Sequence, residues 1–195
     1  MENWPLTPLA ERMRPQNIAA YWGQQQLLAA DAPVGRMLAT GSLHSCIFWG
    51  APGTGKTTLA RLLAQQSGAK LVELSAISSG VKDVRQVLEM ARQQKDGLFA
   101  QQTVLFIDEI HRFNKAQQDA LLQAVETGDV ILMGATTENP SFEVIPALLS
   151  RCQVYTLEPL SSEAMQAIAE QAMAKDEALR LQTAGPLCAV RDPEL

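Results

Sequence analysis

The chain has 195 residues, 47% of them hydrophobic and 19% charged, enough for one well-buried domain with at most a small appendage. A formal net charge of −5 excludes a whole-molecule field that draws in nucleic acid or acidic membranes, so such contacts must come from local patches. Three scattered cysteines, Cys46, Cys152 and Cys188, with only His44 and His111 beside them, exclude a disulfide framework and a zinc site of ordinary spacing and point to a reducing cytoplasm. The start, MENWPLTPLAERMRP, lacks a basic stretch followed by an apolar run. No segment approaches the roughly 18 apolar residues of a membrane span, which predicts a cytoplasmic chain without a membrane partner.

In chain order, Pro5, Pro8, Pro15 and Pro33 predict extended segments around one short helix near Ile18 to Ala30. Cys46-Ile47-Phe48-Trp49 is a short apolar strand running into Gly50-Ala51-Pro52-Gly53-Thr54-Gly55-Lys56-Thr57, and Thr57 to Gln66 follows as a helix closed by Gly68. Leu71 to Leu74 is a second strand. Ser78-Ser79-Gly80 leads into a helix whose Val84, Val87, Leu88 and Ala91 keep helical spacing. The third strand is Val104 to Ile107, ending in Asp108 and Glu109. A helix over Lys115 to Glu126 precedes a fourth strand, Val130 to Ala135, apolar enough to be buried on both faces. A short helix around Pro146 to Ser150, a fifth strand over Val154 to Leu157 and a helix over Glu163 to Leu181 complete the pattern. Strands alternating with helices predict an α/β fold with an open five-stranded parallel sheet, its ligand outside the carboxyl ends of the strands. The expected division is an N-terminal segment (1–35), a core (36–158) and a partial helical lid with a tail (159–195).

The chemistry sits at two places. The loop from Gly50 to Thr57 has the G-x-x-x-x-G-K-T form in which backbone N–H groups and a helix N-terminus cradle phosphates, a lysine reaches their oxygens and a hydroxyl ligates Mg²⁺. It follows a strand and opens a helix, as that mechanism requires. Asp108 and Glu109 at the end of an apolar strand suit Mg²⁺ binding and the orientation of water, respectively. The two together predict binding of a nucleoside triphosphate, with Thr57 and Asp108 as metal ligands, Glu109 acting on water, and Thr58 beside Thr57 on the nucleotide. The run Gly134-Ala135-Thr136-Thr137-Glu138-Asn139-Pro140 fits either a polar group sensing the γ-phosphate or ordinary turn chemistry. His111 is expected to pack or hydrogen-bond rather than ligate.

PLAERMRPQNIAAYWGQQQLL, HSCIFWGAPGTGKTTLA, ISSGVKDVR, FIDEIHRFNKAQQDALL, GATTENPSFEV and ALLSRCQVYTLEPLS together resemble the AAA+ ATPases of the clamp-loader clade. Within that clade they are similar to the RarA/MgsA family, which holds replication-associated recombination protein A and the eukaryotic Werner helicase-interacting protein. The resemblance spans Pro8 to about Lys175. It implies that Arg14, Pro15, Gly23 and Gln24 belong to a segment covering the nucleotide base, that Thr137 is the first sensor, and that Arg151 is an arginine finger completing a neighbouring subunit's site. It also implies a DNA-dependent, Mg²⁺- and ATP-using enzyme of replication-associated recombination and repair at stalled forks or gaps. Its partners would be DNA junctions, further copies of the chain and single-stranded DNA-binding protein. Lys82 and Arg85, with Arg112 and Lys115, become candidates for DNA phosphates, although the same residues suit a solvated helix face. Family members continue into a complete lid with a second sensor arginine and an oligomerisation domain. Neither Arg180 nor Arg191 stands in that lid motif, and the final stretch departs from the family, so the chain reads as C-terminally truncated. A second reading is therefore a module that binds ATP or ADP without hydrolysing it; a third, a P-loop phosphotransferase, is opposed by the Thr-Thr and Ser-Arg-Cys elements.

Overall fold

The computed structural model describes residues 7–95 and 101–176. The first elements are short: α1 (Leu9–Arg12), a 3₁₀ turn (Ile18–Ala20), α2 (Gln25–Leu28) and α3 (Pro33–Thr40). The single helix expected over Ile18 to Ala30 is thus broken. Gly23 (φ 81°) and Gln24 (φ 57°) both enter the left-handed region, which an α-helix cannot continue through. The extended reading of Pro33 is also corrected: Pro33 occupies the first turn of α3, and Gly41 (φ 68°) closes it. Pro5 lies outside the described residues.

The core then runs β1 (Cys46–Trp49), α4 (Lys56–Ser67), β2 (Lys70–Ser75), α5 (Val81–Lys95), β3 (Thr103–Asp108), a 3₁₀ turn (Ile110–Arg112), α6 (Lys115–Glu126) and β4 (Ile131–Thr136). It closes with α7 (Pro140–Glu143), α8 (Pro146–Leu149), β5 (Gln153–Thr156) and α9 (Ser162–Lys175). The five strands form one parallel sheet in the order β2-β3-β4-β1-β5, as the alternation of elements predicted. The turn at Ile110–Arg112 and the helix α7 were not foreseen. The last helix was expected to reach Leu181; residues 177–181, the tail, Cys188, Arg180 and Arg191 lie outside the described residues.

Helix ends follow local signals. Asn114 and Gln117 form a reciprocal capping box at the start of α6, and Ser161 accepts from Ala164 N–H at the start of α9. Alternation along each strand splits the core in two. Cys46, Phe48, Phe106 and Met133 pack with α3 and α4 through Val34, Met37, Leu59 and Leu63. Ile47, Leu105, Ile107 and Leu132 pack on the other face against Val84, Leu121 and Leu148 of α5, α6 and α8. All six residues of β4 are buried, as its apolar sequence predicted. Because β3, β4 and β1 are neighbours, the segments leaving their carboxyl ends meet at one edge: Gly50 onward, Asp108-Glu109, and Thr136-Thr137.

Candidate active site

Two glycines shape the loop between β1 and α4. Gly53 and Gly55 have φ of 79° and 96°, and a Cβ on Gly55 would lie 2.6 Å from Tyr21 Oη. Gly50 is crowded from the other side, where a Cβ would stand 2.4 Å from Leu157 O. The loop therefore has no room for side chains at two of its three glycines. Lys56 opens α4 and is buried; its Nζ donates to Gly50 O (2.7 Å) and Ala51 O (2.9 Å). Burial lowers the pKa of its ammonium, and Glu109 and Asp108 work in the opposite direction. Thr54 Oγ1 donates to Ala51 O (3.0 Å), tightening the turn.

The two carboxylates reach the same place from β3. Burial, and then the charge of Glu109, raise the pKa of Asp108, the expected effect of two acids sharing one partly dry site. A bound dication would relieve that repulsion. Glu109 is a non-glycine residue in the left-handed region (φ 55°, ψ 48°), a conformation costing on the order of 1–2 kcal/mol. It turns the chain sharply from the strand into the 3₁₀ turn. Its Oε2 accepts from Thr137 Oγ1 (3.4 Å) and lies 3.2 Å from His111 Nδ1.

Between the loop and the carboxylates lies a pocket of about 480 Å³, within the size range of roughly 300–1,000 Å³ common for small-molecule sites. The loop residues Pro52 to Thr58, with Asp108 and Glu109, supply most of its polar lining. The rest of the lining is largely apolar: Met13, Pro15, Ala20, Tyr21 and Trp22 from the N-terminal segment, Leu160, and Ile168 of α9. Arg14 lines the pocket too and donates to Thr58 Oγ1 (3.0 Å). A ligand with a phosphate chain and a flat apolar ring would match this mixed lining.

The remaining expected residues lie elsewhere. Gly23 and Gln24 are not in the wall of the pocket but behind the loop, where the Gln24 amide donates to Thr54 O (3.3 Å) and Glu158 O (2.7 Å) and accepts from Glu158 N–H (3.0 Å). Gln24 thus ties the loop to the end of β5. Arg151 is also away from the pocket. It is half exposed and pairs with Glu126 Oε1 (2.8 Å) and Ser150 Oγ (2.7 Å). Lys82, Arg85, Arg112 and Lys115 are exposed on the segments following β2 and β3. Sequence reasoning missed Tyr21, Trp22 and Ile168 as pocket walls and the His111–Glu109 contact. The aromatic pair just before Gly23 was the one available signal for the first two.

The family model for the ATPase family associated with various cellular activities (AAA) matches residues 46–160. The chain belongs to this AAA family. Replication-associated recombination protein A of Escherichia coli (strain K12) is 54% identical over 166 residues, covering 85% of this chain and 37% of that protein. ATPase WRNIP1 of Dictyostelium discoideum is 48% identical over 166 residues, covering 85% of this chain and 19% of that protein. The family resemblance read from the motifs is therefore borne out. This AAA chain spans under two fifths of the length of these curated relatives. Among solved structures it is similar to the Thermotoga maritima RuvB Holliday junction branch migration motor, with a TM-score of 0.66, 27% identity, and coverage of 83% of this chain and 54% of that one.

Proposed function

We propose that this AAA chain carries the ATP site of a DNA-dependent ATPase of replication-associated recombination and repair, acting at stalled forks or gaps. The observation that carries the reading is the meeting of the Gly50–Thr58 loop with Asp108 and Glu109 around one pocket. The names of the relatives supply the biological setting, and the RuvB likeness supports a DNA-acting motor.

In this reading the loop N–H groups and Lys56 hold the β- and γ-phosphates, and the N-terminal segment with Arg14 and Pro15 covers the base. Gly23 and Gln24 act indirectly, by fixing the loop. The Thr57 hydroxyl and Asp108 fit Mg²⁺: both are hard oxygen donors, and a cation that keeps several waters and binds phosphate needs few protein ligands. When bound, Mg²⁺ would supply neutralisation of the phosphate charge. Glu109 takes the proton of the attacking water as the water oxygen bonds to the γ-phosphorus and the bond to the bridging oxygen breaks. Thr137 helps hold Glu109 as first sensor. Arg151, displayed outside its own site, serves a neighbouring copy, a contribution worth about 10³–10⁵ in rate for such fingers.

Lys82, Arg85, Arg112 and Lys115 meet DNA phosphates. Their exposure and lack of ion pairs among the described residues support this, and the starts of α5 and α6, near which they lie, are joined where Gln117 Nε2 donates to Ser79 O (3.1 Å). Self-association, a single-stranded DNA-binding protein partner, a cytoplasmic location and the division into cover, core and partial lid belong to the same reading. No helix among the described residues is long and apolar enough to cross a membrane.

The test is phosphate release per chain against protein concentration, with and without gapped DNA. A rate that climbs with concentration and DNA supports the reading. A flat rate near zero with retained ATP affinity favours a nucleotide-binding module instead. Mixing inactive Arg151→Ala with inactive Glu109→Gln adds the subunit test, since an intact site in the first then borrows Arg151 from the second. No recovery in the mixture would remove the shared-site part of the proposal.

A further inference from the structure

We infer that His111 is a positioning residue that fixes the Glu109 carboxylate so that Oε1, not Oε2, receives the proton of the attacking water. This rests on the reading of Glu109 as the water-activating group and adds a residue to it. The His111 ring is carried by the 3₁₀ turn after β3, whose Ile110 is fully buried. That turn sits close over β4: a Cβ on Gly134 would lie 3.1 Å from Ile110 Cδ1, so the missing side chain is what lets the turn approach. The ring is therefore held against the sheet rather than swinging in solvent.

Its Nδ1 stands 3.0 Å from Thr136 Oγ1 and 3.2 Å from Glu109 Oε2. The balance of donors decides the tautomer. Thr136 Oγ1 has a single proton and an acceptor at Glu138 O (3.2 Å), while it accepts from Glu138 N–H (3.0 Å). An ionised Glu109 can only accept. Both oxygens facing Nδ1 thus call for a proton on that nitrogen, which is shared between them. Thr137 Oγ1 adds a second donor to the same Oε2 (3.4 Å). Among the described residues no protein donor engages Oε1, and Glu109 lines the pocket.

The consequence is a carboxylate with one oxygen tethered and one free. The carboxylate plane turns on the free side-chain torsions of Glu109, and the two donors on Oε2 are what hold it. When water attacks the γ-phosphorus, its proton passes to Oε1, the electron pair of the broken P–O bond leaves with ADP, and His111 keeps its own proton throughout. Misplacing a reacting group by about 1 Å can lower a rate about 10²-fold, which sets the scale of the effect.

Steady-state ATPase assays on His111→Asn, His111→Gln and His111→Ala test this, run beside Glu109→Gln, with ATP affinity and thermal unfolding measured on each. Asn places its amide nitrogen at the same bond distance from Cβ as Nδ1, whereas Gln places it one bond further, near Nε2. The expected result is kcat within about 3-fold of the parent for His111→Asn, and a fall of about 10–100-fold for Gln and Ala with KM and ATP affinity within about 2-fold. Unchanged kcat in His111→Ala, or an Asn variant as defective as Gln, overturns the inference. If Ala fails to fold, the Asn and Gln pair still decides it. Inactive Glu109→Gln beside fully active His111→Ala would refute the role of His111 and leave the site reading standing, whereas active Glu109→Gln would sink the site reading itself. Nitrogen NMR of the imidazole gives an independent readout: a His111 Nδ1 without its proton contradicts the proposal whatever the activity.

Discussion

The loop over Gly50–Thr58 and the N-terminal segment over 7–35 line the same pocket, yet they are built in opposite ways. The loop is made by its own residues: Lys56 and Thr54 bond back to Gly50 and Ala51 within six positions, and two glycines supply the backbone angles. The N-terminal segment is held by partners far along the chain. Arg14 reaches Thr58, Gln24 reaches Thr54 and Glu158, and Arg12 grips Asp176 with two bonds of 2.7 and 2.9 Å. Phosphate chemistry is thus a local property of the chain, while the cover over the rest of the pocket is a tertiary one. Loss of a phosphate-facing side chain from the first should change nucleotide affinity with little change in stability; damage to the second should change both.

The largest effect separating the two is expected at Lys56. Lys56→Ala removes the buried cation that would meet the phosphates, and a charge-assisted bond to them would be worth about 1.5–3 kcal/mol, so ATP affinity should fall at least about 10–100-fold in a titration. The melting temperature should barely move, because the loss of the bonds to Gly50 O and Ala51 O is offset by no longer burying the charge; a large loss of stability with retained affinity would break the comparison. Gly55→Ala comes next. A non-glycine residue at φ 96° costs about 1–3 kcal/mol, and its Cβ would also press on Tyr21, so this loop change, unlike Lys56→Ala, should lower the melting temperature as well as the affinity. Adding Tyr21→Phe should restore part of the nucleotide affinity by removing the hydroxyl 2.6 Å away, but not the part due to φ.

On the side of the cover, Gln24→Ala leaves the Glu158 N–H and two carbonyls without the amide that satisfied them. The expected loss is about 1–3 kcal/mol. That corresponds to roughly 2–4 °C of melting temperature per kcal/mol for a domain of this size, read by thermal unfolding without nucleotide. Affinity for ATP should weaken as well, because Thr54 is no longer tied to the end of β5. The smallest effect is a pH dependence. Arg14 and Arg61 hold the Glu11 carboxyl at about 2, below its ordinary value of 4.5. A depressed acid adds stability above the ordinary value and loses it as pH falls toward the folded one. Comparing Glu11→Gln with the parent by urea unfolding, the gap should be full above about pH 5 and close toward pH 2. It should be small, because the cluster is exposed to solvent.

The same division explains what could be read from the sequence. The strand-loop-helix around Gly50–Thr57, the acidic end of β3, the helix Lys115–Glu126 and the buried β4 all follow from spacing within a dozen residues or so, and the structure has them within a residue or two. The strand order is not local, but alternating elements and two-faced burial sufficed for a parallel sheet. What failed was at the cover. The run Ile18 to Ala30 has helical composition, and only the contacts of Gln24 with Thr54 and Glu158 show why it breaks there. Ile168 in the pocket wall and His111 against Glu109 were equally hidden, since each depends on which elements end at the same edge of the sheet. Pro33 was a misreading of a legible signal: proline in the first turn with Gly41 at the end is a helix pattern.

The central claim is that one pocket both binds ATP and turns it over through Glu109. Equilibrium binding of a fluorescent ATP analogue and phosphate release, measured on the same preparation of Glu109→Gln, test it most directly. The account predicts affinity within about 3-fold of the parent and turnover reduced about 10²–10⁴-fold, the range associated with losing a positioned general base. Turnover near the parent's, with affinity intact, would contradict it.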